Sequence, residues 1–415
     1  MKRRVVITGM GVVSPNGIGN QQFCRALLTG TSGVKRISRF DPSDLPVHIA
    51  GEVSGFDDLA WIGSHERKHV SRVVPMALAA SSEALVQAGT DPAKLSLKEL
   101  REVGVVLGTG GGAQEFSEEM YRLYFAGKSK QASLYSIPSG TAGTLASELS
   151  MRFGFRGMSH VLSTGCTSST DALGYALRQI QWGYLPMMLV GGAVAPIAPG
   201  IMKGFTLMKI LAASWNDAPE RASRPFSADR DGFVLGEGAW MFVVEDYGHA
   251  KVRGAQILAE VAGYGSTCEA FHRVRLQEDG EEPARAIRMA MEDAGVSPAN
   301  VDYVNLHGTS TELNDRIETR ALKLALGGHA YRTPMSSLKS QIGHPQGASG
   351  AAGVAATIVA MLHGQLAPTI NLETPDPECD LDYVPEAGRQ ASIEHAVCNC
   401  IGFGSKNSAL VLRKV

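Results

Sequence analysis

The chain has 415 residues, of which 44% are hydrophobic and 19% are charged, and its formal net charge is −2. This length and apolar content suffice for a large core and for two domains or two fused halves. Because the charge is nearly balanced and the lysines and arginines are scattered, the composition argues against nucleic acid as a partner.

The sequence favours a reducing, cytoplasmic location and no membrane span. Six cysteines are too few for a disulfide framework in a chain of this length. The opening residues 1–17, MKRRVVITGMGVVSPNG, resemble a signal peptide, but the apolar run is short, β-branched and interrupted by glycines, so we predict a first β-strand. The longest apolar helix candidate, 350–363, is shorter than the roughly 18–20 residues that a span requires.

Short β-branched runs ending in glycine-rich turns alternate with longer Ala- and Leu-rich helical stretches. This alternation predicts an α/β fold with sheets covered by helices. The predicted strands, in chain order, are RVVITGMG (4–11), EVGVVLGTGGG (102–112), HVLSTGC (160–166), MMLVGGA (187–193), AEVAGYG (259–265), VDYVNLHGT (301–309) and PMSSLKSQIGH (334–344).

The two parts of the chain show a faint internal repeat. Residues 4–17 are similar to residues 257–270, and the strand-to-helix junction at Cys166 is echoed by the junction at His344 before GASGAAGVAATIVAML (347–362). We therefore predict two pseudo-symmetric halves, 1–250 and 251–415, whose matching junctions could meet at the centre of the molecule. The first half would carry an extra insertion within 112–156.

Cys166 lies in VLSTGCTSST (161–170), where a predicted strand ends. Apolar residues at 172, 173, 176, 177 and 180 predict a helix that begins just after it. The free N–H groups at a helix start stabilise a thiolate, so this placement predicts a lowered pKa and a nucleophilic thiol. A buried, inert cysteine remains the alternative, because free cysteine is among the most buried residue types.

Two histidines and a lysine share this strand-end setting. His307 precedes a Gly- and Thr-rich loop, His344 is surrounded by Pro345 and glycines, and Lys339 lies five residues before His344. Each could instead be a structural hydrogen-bonding residue. The spacing matches no metal motif, so no metal is predicted. A thiol with two imidazoles suits acyl transfer and stabilisation of an enolate oxygen, as in decarboxylation of a malonyl thioester.

Several motifs resemble those of the β-ketoacyl-acyl carrier protein synthases of the thiolase superfamily, over essentially the whole chain. The resemblance implies a thiolase fold, in which two pseudo-symmetric βαβαβ-type halves form a five-layered α-β-α-β-α sandwich. Gly165 and the segments 313–322, 329–340 and 374–385 are more similar to the catalytic ketosynthase subunit of type II polyketide synthases than to fatty-acid elongation enzymes, which remain the alternative. The motifs are TGCTSSTDALGYA (164–176), RPFSADRDGFVLGEGA (224–239), HGTSTELND (307–315), KSQIGHPQGASGAAG (339–353) and GFGSKNSALVL (402–412).

The resemblance also implies roles for individual residues. Cys166 would carry the growing acyl chain, and His307 and His344 would bind the thioester carbonyl of malonyl-carrier protein and stabilise the enolate left by CO2 loss. Lys339 would organise the site, with Glu318 as its ionic partner. The substrate-binding residues would be Thr309 and Thr311 in the phosphopantetheine tunnel and Phe205 and Phe403 near the acyl pocket, and the N–H groups of Cys166 and Ile401 would form the oxyanion hole. Ile401, Ser405 and Lys406 depart from the usual family pattern.

The implied partner is an acyl carrier protein, whose phosphopantetheine arm carries the substrates, so the chain itself would need no cofactor. Because carrier proteins are acidic, basic residues should receive them, although ordinary surface charge is the alternative. The resemblance also implies a dimer, either with a related chain-length-factor-like subunit that lacks the cysteine or with a second copy. The docking candidates are Arg67, Lys68, Arg72, Lys203 and Lys209.

Two other functions remain open at this point. A non-catalytic length-setting subunit would keep the fold without turnover, but the intact Cys166, His307, His344 and Lys339 argue against it. A thiolase-like CoA-dependent transferase would need a second cysteine near the C-terminus, where Cys398 and Cys400 lie, but the two-histidine pattern favours the synthase.

Overall fold

A computed structural model describes residues 2–415. The strands are β1 (Val5–Ser14), β2 (Gly17–Ile18), β3 (Val34–Arg36), β4 (Ile49–Gly51), β5 (Val103–Gly108), β6 (Ser159–Leu162), β7 (Met187–Val194), β8 (Gly238–Asp246), β9 (Ala259–Cys268), β10 (Tyr303–Asn305), β11 (Met335–Ser336), β12 (Gln365–Leu366), β13 (Arg389–Gln390), β14 (His395–Gly402) and β15 (Lys406–Arg413). The α-helices are α1 (Asn20–Thr29), α2 (Val73–Gln87), α3 (Leu97–Arg101), α4 (Gln114–Phe125), α5 (Ser136–Gly140), α6 (Thr144–Phe153), α7 (Ser168–Gln181), α8 (Pro199–Leu207), α9 (Tyr247–Val252), α10 (Glu281–Ala294), α11 (Glu312–Leu326), α12 (Lys339–Ile342) and α13 (Ser349–His363).

The two halves of the chain build sheets of the same topology. The first sheet has the order β6-β5-β7-β8-β1 and the second has the order β11-β10-β14-β15-β9. When the five strands of each half are numbered along the chain, both orders are 3-2-4-5-1. The sheets join where β1 and β9 pair antiparallel through Val6–Glu260 and Ile7–Ala259. The predicted pseudo-symmetry is confirmed, and the predicted division after residue 250 lies within α9.

Helices cover both sheets and also separate them. Helices α7 and α13 contact strands of both halves, α2 and α6 pack on the first sheet, and α10 packs on the second with α11 beside it. The five-layered arrangement predicted from the family resemblance is therefore present. The central layer is tight because small residues face each other: a Cβ added at Gly350 in α13 would lie 2.0 Å from Thr170 Oγ1 in α7. Helix α13 is apolar all round, as its burial requires.

Two local expectations need correction or refinement. The segment 334–344 is not one strand, since only Met335–Ser336 pairs in the sheet and Lys339 begins the short helix α12. Side-chain hydrogen bonds replace the ladder there: the Ser337 hydroxyl donates to the Gly308 carbonyl and the Thr369 hydroxyl accepts from the Ser337 N–H. The insertion in the first half is shorter than the predicted 112–156. Helix α6 connects β5 to β6 just as α11 connects β10 to β11 in the second half, so α6 is not part of the insertion.

Between residues 2 and 415, no helix combines the length and the apolar character that crossing a membrane would need.

Candidate active site

The two matching junctions of the halves meet at one buried point. Cys166 lies in a single 3-10 turn, Gly165–Thr167, immediately before α7, and His344 follows α12 shortly before α13. The Cys166 Sγ is 3.2 Å from His344 Nε2. Gly165 permits this turn, because its φ is +71° and an added Cβ would lie 3.3 Å from the Phe403 carbonyl oxygen.

The expected lowering of the Cys166 pKa is wrong. Burial raises the pKa of this thiol to about 11, although the charge of Lys339 and the backbone N–H groups of Phe403 and Cys166 itself act in the opposite direction. The thiol is only 8% exposed, so loss of hydration outweighs the effect of the helix start. In the free protein Cys166 is therefore a neutral thiol that needs a proton acceptor.

His344 is suited to accept that proton. Burial and the nearby charge of Lys339 hold the pKa of His344 well below its usual range, so its imidazole is neutral. Its Nε2 faces the thiol, and its Nδ1 is 3.1 Å from the Ser349 hydroxyl, which can donate or accept. The ring also packs edge-on against Phe233, with centroids 5.2 Å apart.

His307 completes the group from the other side. Its ring lies nearly perpendicular to that of His344, with centroids 5.3 Å apart. Burial, Lys339 and His344 together hold its pKa well below the usual range, so His307 is neutral as well. The Lys339 ammonium donates to the His307 carbonyl over 2.6 Å, which links this lysine to the main chain of the histidine.

Glu318 makes no direct ion pair with Lys339 among the described residues, although its charge acts on Lys339 and favours the ammonium form of that lysine. Its carboxylate instead accepts from the backbone N–H groups of His307 and Gly308 and from the Asn399 amide, each over 2.7 Å. Burial nevertheless raises the Glu318 pKa to about 7. The carboxylate therefore fixes the loop that carries His307. Asn399, which sequence reasoning missed, belongs to the same network.

The predicted oxyanion hole also changes by one member. The backbone N–H groups that lower the pKa of the Cys166 thiol, and so favour negative charge beside it, are those of Cys166 itself and of Phe403. Ile401 lies inside β14 opposite Asn407 of β15, and its side chain forms part of a cavity wall. The chain turns towards the thiol only after β14 ends at Gly402, so Phe403 takes the place that was expected for Ile401.

Two cavities, of about 170 and 180 Å³, reach the thiol from different directions. They share Cys166, Phe233, His344 and Phe403. The first cavity also contains Thr309 and Thr311, whose hydroxyls are 2.9 Å apart, and its wall is completed by Ile210, Val274, Arg275, Leu276, His307, Leu313, Asn314, Ile401 and Gly402. The second is completed by Gly110, Gly111, Gln114, Gly165, Phe205 and Gln346. Two paths can therefore bring two substrates to one sulfur.

One of the five docking candidates is excluded. Arg72 is 8% exposed, forms a 3.0 Å ion pair with the buried Glu237 and donates to the Val53 carbonyl, so its charge is already neutralised inside the protein. Arg67 is partly exposed and pairs with Asp58 at 2.7 Å. Lys68, Lys203 and Lys209 are exposed. Arg275, at the wall of the first cavity, was not predicted, although the basic run HRVR at 272–275 could have indicated it.

The Cys166 sulfur and one ring nitrogen from each histidine lie within 4.8 Å of one another, which is also compatible with metal ligands. The charge of Lys339 lowers the pKa of both histidines and would oppose a second cation at the same point. The expectation that the chain holds no metal stays a prediction.

Fold and site together define a condensing enzyme of the thiolase fold, with a buried thiol between two neutral imidazoles. Residues 2–250 match the family description "Beta-ketoacyl synthase, N-terminal domain" and residues 258–373 match "Beta-ketoacyl synthase, C-terminal domain". The chain belongs to the beta-ketoacyl synthase family.

The relatives carry two kinds of name, polyketide beta-ketoacyl synthase and 3-oxoacyl-[acyl-carrier-protein] synthase. The actinorhodin polyketide beta-ketoacyl synthase 1 of Streptomyces coelicolor is 42% identical, over all of this chain and 89% of its own length. The 3-oxoacyl-[acyl-carrier-protein] synthase 2 of Synechocystis sp. is 40% identical, over all of this chain and 98% of its own length.

Solved structures show the same fold over both full chains. One matching chain comes from a structure described as a type II PKS acyl-carrier protein in complex with its ketosynthase bound to the hexaketide. It is 34% identical to this chain, with a TM-score of 0.90. The ishigamide ketosynthase/chain length factor shares 31% identity and a TM-score of 0.92.

Proposed function

We propose that the chain catalyses the decarboxylative Claisen condensation of an acyl group, held on Cys166, with malonyl-acyl carrier protein, and that it extends a polyketide chain in a type II system. One observation carries this proposal. A single buried sulfur lies 3.2 Å from a neutral imidazole, has a second imidazole beside it, and is reached by two cavities. That arrangement can hold one substrate covalently while it binds another.

The first step is transfer of the acyl chain to Cys166. His344 Nε2 receives the thiol proton as the sulfur attacks the thioester and returns a proton to the departing pantetheine thiol. The N–H groups of Cys166 and Phe403 stabilise the oxyanion of the tetrahedral intermediate. No metal or cofactor of the chain's own is needed for this step.

The second step is loss of CO2 from malonyl-carrier protein and attack of the enolate on the acyl-Cys166. His307 and His344 donate to the thioester carbonyl, where negative charge develops. For His344 this requires the Nε2–H tautomer, in which the Ser349 hydroxyl donates to the bare Nδ1. Neutral imidazoles can do this without first losing a proton. Lys339 and Glu318 act on His307 through its backbone, so we assign them positioning roles. Thr309 and Thr311 are placed to contact the pantetheine arm in the first cavity.

The second cavity favours an oxygenated acyl chain. Besides Phe205, Phe233 and Phe403, its wall includes the amide side chains of Gln114 and Gln346. Amides can hydrogen-bond to the keto groups of a polyketide chain, whereas a saturated fatty chain would cover the half-buried Gln346 amide without giving it a partner; Gln114 is exposed and keeps water. The polyketide assignment, rather than fatty-acid elongation, rests on this difference.

Exposed basic residues would suit an acidic carrier protein. Lys68, Lys203 and Lys209 remain the docking candidates, with Arg67 as a weaker one because of its ion pair. All six cysteines are free, which suits the cytoplasm as the site of action.

We further propose that a related chain covers the outer edge of the first sheet. Within residues 2–415, strand β6 pairs only with β5, so one side of its backbone has no neighbouring strand. Nearby helices expose large apolar side chains, among them Phe125 (89% exposed) in α4 and Ile137 (70% exposed) in α5. The mass of the purified chain distinguishes a homodimer from a subunit that needs a different partner, and Phe125→Asp should weaken either assembly.

The function is tested with purified chain, acyl-carrier protein and malonyl-carrier protein. Cys166→Ala should form no acyl-enzyme and no condensation product, as measured by intact-protein mass spectrometry, whereas Cys268→Ala, which removes an exposed thiol, should behave as wild type. Normal condensation by Cys166→Ala would refute the proposal. Gln346→Leu should shift kcat/KM from β-ketoacyl towards saturated acyl substrates, and an unchanged ratio would remove the polyketide assignment.

A further inference from the structure

Ser405 is a buried serine in a backbone conformation that favours glycine. It is one of the positions that depart from the usual family pattern, and it ends the short loop 403–405 between β14 and β15. Its φ is +64° and only 2% of its surface is exposed. A side chain in this left-handed region is less stable than glycine. The chain therefore holds a strained residue here, and the hydroxyl is the group that serine adds.

The Ser405 hydroxyl binds the backbone of a neighbouring loop, residues 269–276. It accepts from the N–H groups of Phe271 and His272, over 3.4 and 3.2 Å, and it donates to the His272 carbonyl over 3.0 Å. These contacts use its one proton and its two lone pairs without conflict. One side chain thus holds three backbone groups of the loop.

The backbone held at His272 positions residues that line the first cavity. The His272 ring accepts at Nδ1 from the N–H groups of Val274 and Arg275, each over 3.0 Å. Val274, Arg275 and the next residue, Leu276, all form part of the wall of the first cavity. A continuous set of hydrogen bonds therefore runs from Ser405 to this wall.

The turn that carries Phe403 has support of its own. It closes the hairpin of β14 and β15, and the two strands pair up to its ends. Two backbone bonds also join the turn to the loop: the Glu269 N–H donates to the Ser405 carbonyl over 2.8 Å, and the Gly404 N–H donates to the Arg273 carbonyl over 2.9 Å. Loss of the hydroxyl would leave these bonds and the Phe403 N–H in place, but would remove the bonds at the centre of the loop.

We propose that Ser405 is a positioning residue whose hydroxyl holds the loop 269–276 in place and thereby fixes the wall of the first cavity for the pantetheine arm. This inference rests on the proposed function, because it assigns the first cavity to that arm. When the wall is already fixed, binding of the arm does not have to order the loop. Ser405 should therefore favour binding of carrier-linked substrates and leave the chemistry at Cys166 unchanged.

The first test measures the loop without turnover. Ser405→Gly relieves the left-handed strain and Ser405→Ala keeps it, but both variants lose the hydroxyl. In both, we expect the N–H groups of Phe271 and His272 to exchange about fivefold faster, which is the effect of losing one hydrogen bond, in amide hydrogen-exchange mass spectrometry of the full chain. Unchanged exchange in Ser405→Gly would overturn the inference. Because glycine suits this conformation, the test holds even if Ser405→Ala does not fold.

The second test separates binding from chemistry in the condensation assay. Ser405→Gly and Ser405→Ala should both raise KM for malonyl-carrier protein about fivefold and keep kcat within twofold of wild type, because the loosened loop must be ordered when the arm binds. Ser408→Ala is the matched control. Ser408 is buried in the adjacent strand β15, but its hydroxyl has no hydrogen-bond partner among residues 2–415, so this variant should keep both constants.

A lower kcat with an unchanged KM would overturn the inference, because it would place the effect of Ser405 at the Phe403 turn rather than at the cavity wall. A wild-type KM in both variants would overturn it as well. If the wild-type chain formed no condensation product, the proposed function would fail instead, whereas the exchange measurement would still decide whether Ser405 holds the loop.

Discussion

Cys166 should be un-ionised at neutral pH, and should therefore react slowly with alkylating agents, despite its place before α7. Burial raises its pKa to about 11 from the ordinary 9.0. Because only the thiolate attacks an alkylating agent, a rise of about two pH units lowers the reactive fraction at pH 7 about 100-fold. The alkylation rate should therefore rise about tenfold for each pH unit between pH 7 and pH 10, without a plateau.

The assay uses iodoacetamide and peptide mass spectrometry on the full chain. Cys268, which is exposed, is alkylated in the same samples and reports reagent activity at every pH. Restricted access to the cavity would lower all Cys166 rates by the same factor, so the slope of the logarithm of the rate against pH still measures ionisation. Lys339→Met should slow alkylation further, since the lysine charge favours the thiolate.

A rate that levels off below pH 8 would refute this reasoning. It would mean that the helix start and Lys339 outweigh burial and that Cys166 is a thiolate at rest. His344 would then have no proton to accept in the first step, and its role would be confined to the second.

Three further predictions concern the support of the site. In Glu318→Gln, the new side-chain NH2 group faces the N–H donors of His307, Gly308 and Asn399 that the carboxylate accepted from. The substitution should therefore lower the free energy of unfolding by about 1–3 kcal/mol in urea titrations. Unchanged stability would contradict the hydrogen-bond network around Glu318. The Glu318 pKa of about 7 in the folded chain exceeds the ordinary value of 4.5, so the folded chain binds more protons than the unfolded chain between these two pH values. The free energy of unfolding should therefore fall as pH rises from about 5 to 7. In Glu318→Gln, this pH-dependent part of the free energy of unfolding should be missing. Gly347→Ala should lower both the melting temperature and the rate of acyl transfer, because its Cβ would lie 2.0 Å from the Gly110 nitrogen. Gly328→Ala should change neither, because a Cβ at Gly328 has open space. Equal effects of the two substitutions would show that the close contact between Gly347 and Gly110 is unimportant.

The repeat in the sequence was enough to predict which residues meet. Strands and turns recur in both halves at corresponding places, and a duplicated topology brings corresponding junctions together at the centre. Cys166 and His344 occupy such junctions, so their 3.2 Å contact follows from the pattern. Local periodicity could not predict the short helix that begins at Lys339, because side-chain bonds from Ser337 to distant loops end the strand there.

What the sequence could not give depends on contacts between distant residues. Arg72 looked like a surface cation, but Glu237, 165 positions further along, neutralises it inside the protein. The Cys166 pKa also depends on distant residues. The helix start that lowers this pKa can be seen in the sequence, whereas the burial that raises it more strongly cannot. Ile401 was assigned to the oxyanion hole by motif position alone, and the end of β14 places Phe403 there instead.

The two halves divide the chemistry between them, and this division explains why the site lies where they join. The first half supplies the nucleophile and the second supplies both histidines. His344 is held by the first half all the same: its N–H donates to the Val234 carbonyl over 2.7 Å, and its carbonyl accepts from the Gly236 N–H over 3.0 Å. A histidine fixed only by its own half could shift relative to Cys166 whenever the halves moved. Because both sides of its peptide backbone are bonded to the nucleophile's half, the 3.2 Å contact survives small movements between the sheets, and a half expressed alone would lack both the partner and the bonds that position it.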